Sequence, residues 1–570
     1  MVKNKNALYL VVIFLATIFA YSNIFANQFL GDDYDFVVNW QSIHNFQKIP
    51  QLLKGEVPAG NEGVYRPVRS LVYVLVYSLS NVNPLGYHIF SLIIHLASVF
   101  LTYFFIKTFF KKPLLAFLSA LLFALHPIHT ESITYITSSF DAFGFMLFFG
   151  ALTSFAYFLK KKKAYVLYVS YALVFLAFFS HEMTLALPLL LLLLIFTFKK
   201  KADYKITIPY FVLAALYGCI RIFIIHTPAR SQYLANSFYL TFLAVIKAFW
   251  LAFKTTLFPY HLTLDHHIYP NLFTFSNYQL LSLAALQQHW YQPVFLLSLG
   301  FLALFLVTVF YFFKKNPIVS FSLIWFFLTL LPVANIVPNY TLFREMYLYI
   351  PSFGICLALA YLGTYLLKKN QQLGIIVISV VIILFGIRTY FRNLDWQNEL
   401  MLWQKTAESS AQNPMVLYKL GSAYQAAGQA DQAIGAYKSA LILQDDMGFV
   451  YYNLGLLHQQ QKQVHMALGY YEKAWHRNTK EALPPLIDLY NQEAIKQFQN
   501  GEVLSAQTYL QKALDLDLCS AQTFNNYGSI VASQGDYFKA KVLFEQALNC
   551  DPNFTQAQEN LEKLEMKKPF

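Results

Sequence analysis

The sequence predicts an all-α protein in two parts: a polytopic membrane helix bundle of about eleven spans, then a soluble α-solenoid. Three observations carry this. Of 570 residues, 57% are hydrophobic and only 13% charged, whereas soluble domains carry roughly 25% charged residues. Lys111-Lys112, Lys160 to Lys163, Lys199 to Lys201, Lys314-Lys315 and Lys368-Lys369 all fall between long apolar runs, as basic clusters do on the cytoplasmic face of a membrane. From Pro414 onward the composition turns polar and a 34-residue period begins.

The candidate spans lie near 7–25, 86–110, 113–126, 140–159, 164–180, 183–198, 206–225, 292–313, 317–332, 347–367 and 371–390. The first follows Lys3 and Lys5 and reads as a retained helix, since no clear small-residue cleavage site follows it. With those lysines inside, every later lysine cluster also falls inside. The apolar stretch Phe238 to Pro259 breaks this parity if it crosses, and is read as re-entrant or interfacial. The odd count then places the C-terminus outside. The outer loops are about 26–85, 126–140, 226–291 and 332–346, and Leu71 to Leu79 is expected as a helix along the outer face. The expected domains are a membrane domain at 1–395, a helical linker at 396–413 and a repeat array at 414–570.

The net charge of +12 does not point to nucleic acid. Many of the lysines sit at span ends, and no basic stripe lies on a soluble face. Among the four cysteines, Cys219 and Cys356 lie in apolar runs. Cys519 and Cys550 lie in the tail, where sequence alone does not decide pairing.

The period rests on particular residues. Leu420-Gly421, Tyr424, Gly428, Ala433, Tyr437 and Ala440 form one unit. Leu454-Gly455, His458, Ala467, Tyr471 and Ala474 repeat it, as do Tyr527-Gly528, Gly535, Ala540, Phe544 and Ala547. A weaker unit with Tyr490, Gly501, Ala506, Leu510 and Ala513 lies between. This is the tetratricopeptide (TPR) pattern, about four repeats long. Its stacked hairpins form a groove that takes an extended peptide or partner protein, or serves as a spacer.

Chemistry-bearing residues gather on the face without lysine. Asp32 and Asp33 follow the first span at the membrane–water boundary, where a carboxylate can take a proton from a hydroxyl. Alone they would read as a solvated loop start. However, His126, His129, Glu131 and Asp141 surround a short outer loop. His181-Glu182 and Arg344-Glu345 lie at two further span ends, and Arg66 and Arg69 in the first loop. Ionisable groups at membrane depth face a cavity, pair, or act in a pathway. Both charge signs meeting at one face suit a pocket for an anionic phosphate held by arginine, with a carboxylate beside it. Pro127 interrupts any helix between His126 and His129, no third ligand is spaced for zinc, and a divalent metal is not favoured. The sequence has no P-loop and no GxSxG elbow.

At these residues the chain resembles the transmembrane and TPR-containing O-mannosyltransferases of the GT-C glycosyltransferase superfamily. The resemblance rests on Asp32-Asp33, Tyr65-Arg66-Pro67, Gly86-Tyr87-His88 with His95, and His126-Pro127-Ile128-His129-Thr130-Glu131. It continues in Ser180-His181-Glu182, Leu257-Phe258-Pro259 with Asp265, Tyr347-Leu348-Tyr349-Ile350-Pro351-Ser352 and the stretch Trp396 to Trp403. One departure is Met346, where the family has an arginine after the glutamate; here Arg344 precedes Glu345. The resemblance implies a GT-C-type bundle and a sugar, mannose above all, carried from a polyprenyl- or dolichyl-phosphate donor to Ser or Thr hydroxyls of extracytoplasmic proteins. Asp32 is the expected base, with Asp33 beside it. Arg66 and Arg344 are expected at the donor phosphate, with His126, His129, Glu131, Asp141, His181 and Glu182 lining the site. The expected partners are that lipid-linked donor, a protein acceptor in the TPR groove, and membrane lipids. The membrane is the plasma membrane of a prokaryote or the endoplasmic reticulum of a eukaryote. Two other readings are a non-catalytic anchored TPR scaffold and a GT-C enzyme with a glycan or lipid acceptor.

Overall fold

A computed structural model of the chain describes residues 2–58, 64–198, 204–226, 232–269, 272–273, 293–339 and 341–566. Lys199 to Lys201 and much of the expected 226–291 loop lie outside the described residues. The chain divides into two compact units, Met1–Ala411 and Gln412–Phe570.

The first unit is a multi-pass membrane helix bundle. Among the described residues, eight helices are long and apolar enough to cross a bilayer: Lys5–Ala26, Pro84–Phe110, Ile136–Lys161, Tyr204–Ile224, Phe238–Leu257, Phe295–Lys315, Glu345–Lys369 and Gln371–Leu394. Pro113–Ala124 and Pro127–Thr134 make a ninth if their pair, bent by 49°, counts as one span. The count of about eleven is thereby revised. Three of the expected spans are the short helices Ala164–Phe178, Glu182–Phe198 and Pro317–Val333. At 1.5 Å per residue such helices fall short of a hydrocarbon core of about 30 Å. The one departure from an all-α fold among the described residues is a small antiparallel pair, His267–Tyr269 with Leu272–Phe273.

Local sequence sets the helix ends. Pro67, Pro84, Pro113 and Pro317 open helices, where a missing N–H costs nothing. Lys111 and Lys162, in left-handed conformation, close Pro84–Phe110 and Ile136–Lys161. The core gathers aromatic rings from several helices, with Trp325 stacked against Phe149 and tilted on Phe353. Gly354 permits this packing, since a Cβ there would lie 2.4 Å from the Ser322 carbonyl oxygen. Pro67–Ser80 forms the helix expected at 71–79.

Phe238–Leu257 has an informative placement. Just before it, the Tyr233 hydroxyl donates to the Ile336 carbonyl at 3.0 Å, and Leu240 and Val245 pack with Leu342. At its other end the Thr256 carbonyl accepts from His126 Nε2 at 2.9 Å. Beyond it, the Thr263 N–H donates to Glu345 at 2.6 Å. Both ends of the helix thus meet loops that the lysine pattern assigns to one face.

The second unit consists of TPR-like helical repeats. Pro414–Ala426 pairs with Ala430–Leu443, Gly448–Gln460 with Val464–His476, Leu483–Gln499 with Val503–Leu516, and Ala521–Ser533 with Tyr537–Cys550. Thr555–Met566 follows them. The repeated glycine is where an aromatic ring presses on the partner helix. A Cβ on Gly455 would come within 2.6 Å of the Tyr471 ring, and one on Gly528 within 2.6 Å of the Phe544 ring. The Sγ atoms of Cys519 and Cys550 are bonded, with their Cα atoms 5.2 Å apart.

Candidate functional site

The two adjacent aspartates meet different surroundings. Asp33 is buried. Its Oδ1 accepts from the Thr137 backbone N–H at 2.7 Å and the Thr137 hydroxyl at 2.5 Å, and its Oδ2 accepts from the Leu30 N–H at 3.0 Å. Thr137 lies in the first turn of Ile136–Lys161, where helix N–H groups lack intrahelical acceptors. Burial nevertheless outweighs these donors and pushes the Asp33 carboxyl up to about 7. Asp32 is exposed. Its backbone N–H donates to the Tyr135 hydroxyl at 2.9 Å.

Asp32 lines a cavity of about 120 Å³ together with Arg66, Arg69, Tyr135, Asp141 and Arg344. Arg66 is buried and forked between two carboxylates, 2.7 Å from Asp141 and 2.7 Å from Glu182. Arg69 adds a second contact to Asp141 at 3.0 Å, and Arg221 a second contact to Glu182 at 2.9 Å. Arg344, which lines the same cavity, donates from Nε to Glu131 at 2.9 Å, and the other Glu131 oxygen accepts from the Met346 N–H at 2.9 Å. Arg66, Arg69, Arg221 and Arg344 thus stand against Glu131, Asp141 and Glu182.

A larger cavity of about 410 Å³ adjoins this one. Its walls are mostly apolar, with Leu185, Ala214, Val333 and Ile336, while Arg66, Glu182 and Arg221 form a charged end. Arg66 and Tyr347 line both cavities. A phosphate on a long apolar tail matches this pairing of a charged end and greasy walls, next to a polar chamber holding a carboxylate.

The expected residues fall into two groups. Asp32, Arg66, Asp141 and Arg344 line the polar cavity, and His181 and Glu182 the apolar one. Glu131 sits directly behind Arg344. His126 and His129 are fully buried and line neither cavity. His126 is held by Thr256, and His129 Nε2 lies 2.7 Å from the Ser352 hydroxyl. Among the described residues no three His, Cys, Asp or Glu side chains converge as a metal site would require. Arg221 and Tyr135 were not anticipated. Arg221 carried a signal, a lone guanidinium inside an apolar run. Tyr135 carried none, since its role depends on a contact across the fold.

No family model matches the chain. The human "Protein O-mannosyl-transferase TMTC3" is 22% identical over 602 residues, covering 95% of this chain and 64% of that protein. The Caenorhabditis elegans "Protein O-mannosyl-transferase F38B6.6" is 22% identical, covering 76% and 62%. The human "Protein O-mannosyl-transferase TMTC1" is 39% identical over 103 residues, 18% of this chain and 12% of that protein. The chain therefore spans less than two thirds of the length of these relatives. Among solved structures, a TPR protein with an unusual peptide-binding site, YrrB, is 19% identical, covers 35% of this chain and 97% of its own, and has a TM-score of 0.22. The similarity to the curated relatives, 22% identity over 95% of this chain for the human protein, bears out the resemblance read from the residues: the chain is a distant homologue of the TMTC protein O-mannosyl-transferases.

Proposed function

We propose that this homologue of the TMTC proteins is an integral membrane glycosyltransferase that moves mannose from a polyprenyl- or dolichyl-phosphate to a Ser or Thr hydroxyl of an extracytoplasmic protein. The observation that carries the reading is the sharing of Arg66 and Tyr347 between an apolar-walled cavity and a polar one that holds Asp32. The prenyl chain occupies the first cavity, its phosphate lies toward Arg66, and the sugar extends into the second. The polar cavity, about 120 Å³, is small for a hexose, so this reading requires its walls to move apart when the donor binds.

In the reaction the acceptor hydroxyl attacks C1 of the sugar. The C1–oxygen bond to phosphate breaks, the lipid phosphate leaves with the electron pair, and the hydroxyl proton passes to Asp32. Attack opposite the leaving group inverts C1. Phosphate is a good leaving group, so charge stabilisation by the arginines and alignment of the hydroxyl supply most of the acceleration. Asp33 keeps a structural task, joining the first loop to the helix that carries Asp141.

Two features support an extracytoplasmic site. The ends of Phe238–Leu257 contact the same set of loops, which fits a helix that begins and ends at one face. The bonded pair Cys519–Cys550 fits a tail in an oxidising compartment. The repeats then offer their groove to the acceptor polypeptide.

The test is transfer by the purified chain in lipid nanodiscs, with radiolabelled polyprenyl-phosphate mannose and Ser/Thr-containing peptides. Wild type transfers label, and Asp32→Asn loses about 10²–10⁴-fold in single-turnover rate while retaining donor binding. Transfer at the wild-type rate by Asp32→Asn would remove the carboxylate from its role.

A further inference from the structure

The segment that opens the helix Glu399–Ser410 grips the first loop beside Asp32. Gly31 adopts φ +45°, a left-handed conformation that side-chain-bearing residues rarely take. Its N–H donates to Glu399 Oε1 at 2.5 Å. The other Glu399 oxygen accepts from Trp403 Nε1 at 2.6 Å, which orients the carboxylate from within its own helix. Three further contacts join the same segments. The Gln28 N–H donates to the Gln397 carbonyl at 3.0 Å. Leu30 packs with Trp396 and Leu402. Trp396 stacks on Tyr135, whose hydroxyl accepts the Asp32 N–H.

The consequence follows from the chain order. Asp33 is tied on one side of Asp32 by Thr137 and Leu30, and Gly31 is tied on the other by Glu399. The backbone of Asp32 is thus fixed from both directions while its carboxylate stays at the cavity. Glycine has no Cβ and visits many backbone conformations freely, so the contacts on either side are what hold it in this turn.

We propose that Glu399 is a positioning residue for Asp32, fixing the Gly31 turn that aims the carboxylate into the polar cavity. The inference rests on the reading of Asp32 as the base. It also makes the helix Glu399–Ser410 part of the reacting unit, in keeping with the extent of that unit to Ala411.

The experiment uses the full chain in nanodiscs and two readouts. In the first, hydrogen exchange of the amides of residues 28–35 accelerates at least about tenfold in Glu399→Ala, as expected when a local hydrogen bond is lost. Glu399→Gln, whose carbonyl oxygen can accept the Gly31 N–H but whose amide nitrogen cannot accept from Trp403, restores part of the protection. In the second, Glu399→Ala lowers kcat for mannosyl transfer by about ten- to a hundredfold and leaves donor KM unchanged. Glu399→Gln again recovers part of the loss. Unaltered exchange in Glu399→Ala overturns the clamp. Accelerated exchange with unchanged kcat overturns the positioning role. If wild type itself transfers nothing, the functional reading fails, and the exchange data still decide whether Glu399 holds the turn.

Discussion

Asp33 Oδ1 receives both the N–H and the hydroxyl of Thr137, a residue 104 positions further along the chain. That double contact closes the first outer loop onto the helix Ile136–Lys161. It also divides the labour of the aspartate pair, since a carboxylate committed to these donors is poorly placed to take a substrate proton. Asp32 has no such commitment to Thr137 and stands at the cavity. The same helix brings in Asp141, one turn beyond Thr137, so the loop carrying Asp32 and the carboxylate gripping Arg66 share a single scaffold.

The buried state of Asp33 makes stability depend on pH. Its carboxyl is raised from 3.8 to about 7, chiefly by burial. Between those values the folded protein keeps a proton that the unfolded chain has released. Stability from this group is therefore complete at acid pH, falls as pH rises through the window, and levels above about 7. The slope approaches about 1.4 kcal/mol per pH unit in mid-window. Thermal unfolding of nanodisc-embedded protein from pH 4 to 8 measures it. The difference between wild type and Asp33→Asn should carry the slope, and parallel curves would contradict the assignment.

Arg66 serves both binding and folding. Its removal leaves the buried Asp141 with Arg69 and the more distant His181, and takes one of its arginines from the partly buried Glu182. Breaking a buried pair from one side is destabilising, and with second partners retained the cost for Arg66→Ala should be about 3 kcal/mol. Arg66→Lys keeps the charge but not the fork, and should recover less than half. Chemical denaturation in mild detergent reads the difference. A variant within about 0.5 kcal/mol of wild type, the range of ordinary surface changes, would show that the cluster is not part of what holds the fold.

Legibility followed the physics of each signal. Hydropathy and lysine placement reported the long spans, because each is a local sum over some twenty residues. The short helices Ala164–Phe178 and Glu182–Phe198 were overcounted as full spans, since apolar composition does not reveal where a helix stops. The repeats were legible through Gly421, Gly455 and Gly528, where a Cβ would strike the paired ring. At the site, Arg66, Asp141, Glu182 and Arg344 stood out because a charge in apolar sequence is costly and must find a partner. Tyr135 was invisible, because a tyrosine near a membrane surface needs no special explanation in sequence. His126 and His129 stood out as a histidine cluster. Their rings lie in the core beside neither cavity, His126 against Thr256 and His129 against Ser352.

The cysteine pair offers the sharpest test of orientation. Cys519 lies beyond the helix Val503–Leu516, and Cys550 ends Tyr537–Cys550, so the bond ties together neighbouring hairpins of the array. Closing a loop of 31 residues removes freedom from the unfolded chain worth about 3–4 kcal/mol in the entropic account. A cytosolic tail would gain none of this, since thiols there are kept reduced. Alkylation of the protein directly in cells, before and after reductant, should therefore label Cys519 and Cys550 only after reduction. Buried Cys356 should stay unlabelled in the folded protein under either condition. The double variant Cys519→Ser/Cys550→Ser should melt at lower temperature without reductant and match reduced wild type. Full labelling of both residues in untreated cells would place the repeats with the lysines, on the face opposite Asp32, and the acceptor polypeptide could then not reach groove and carboxylate in one compartment.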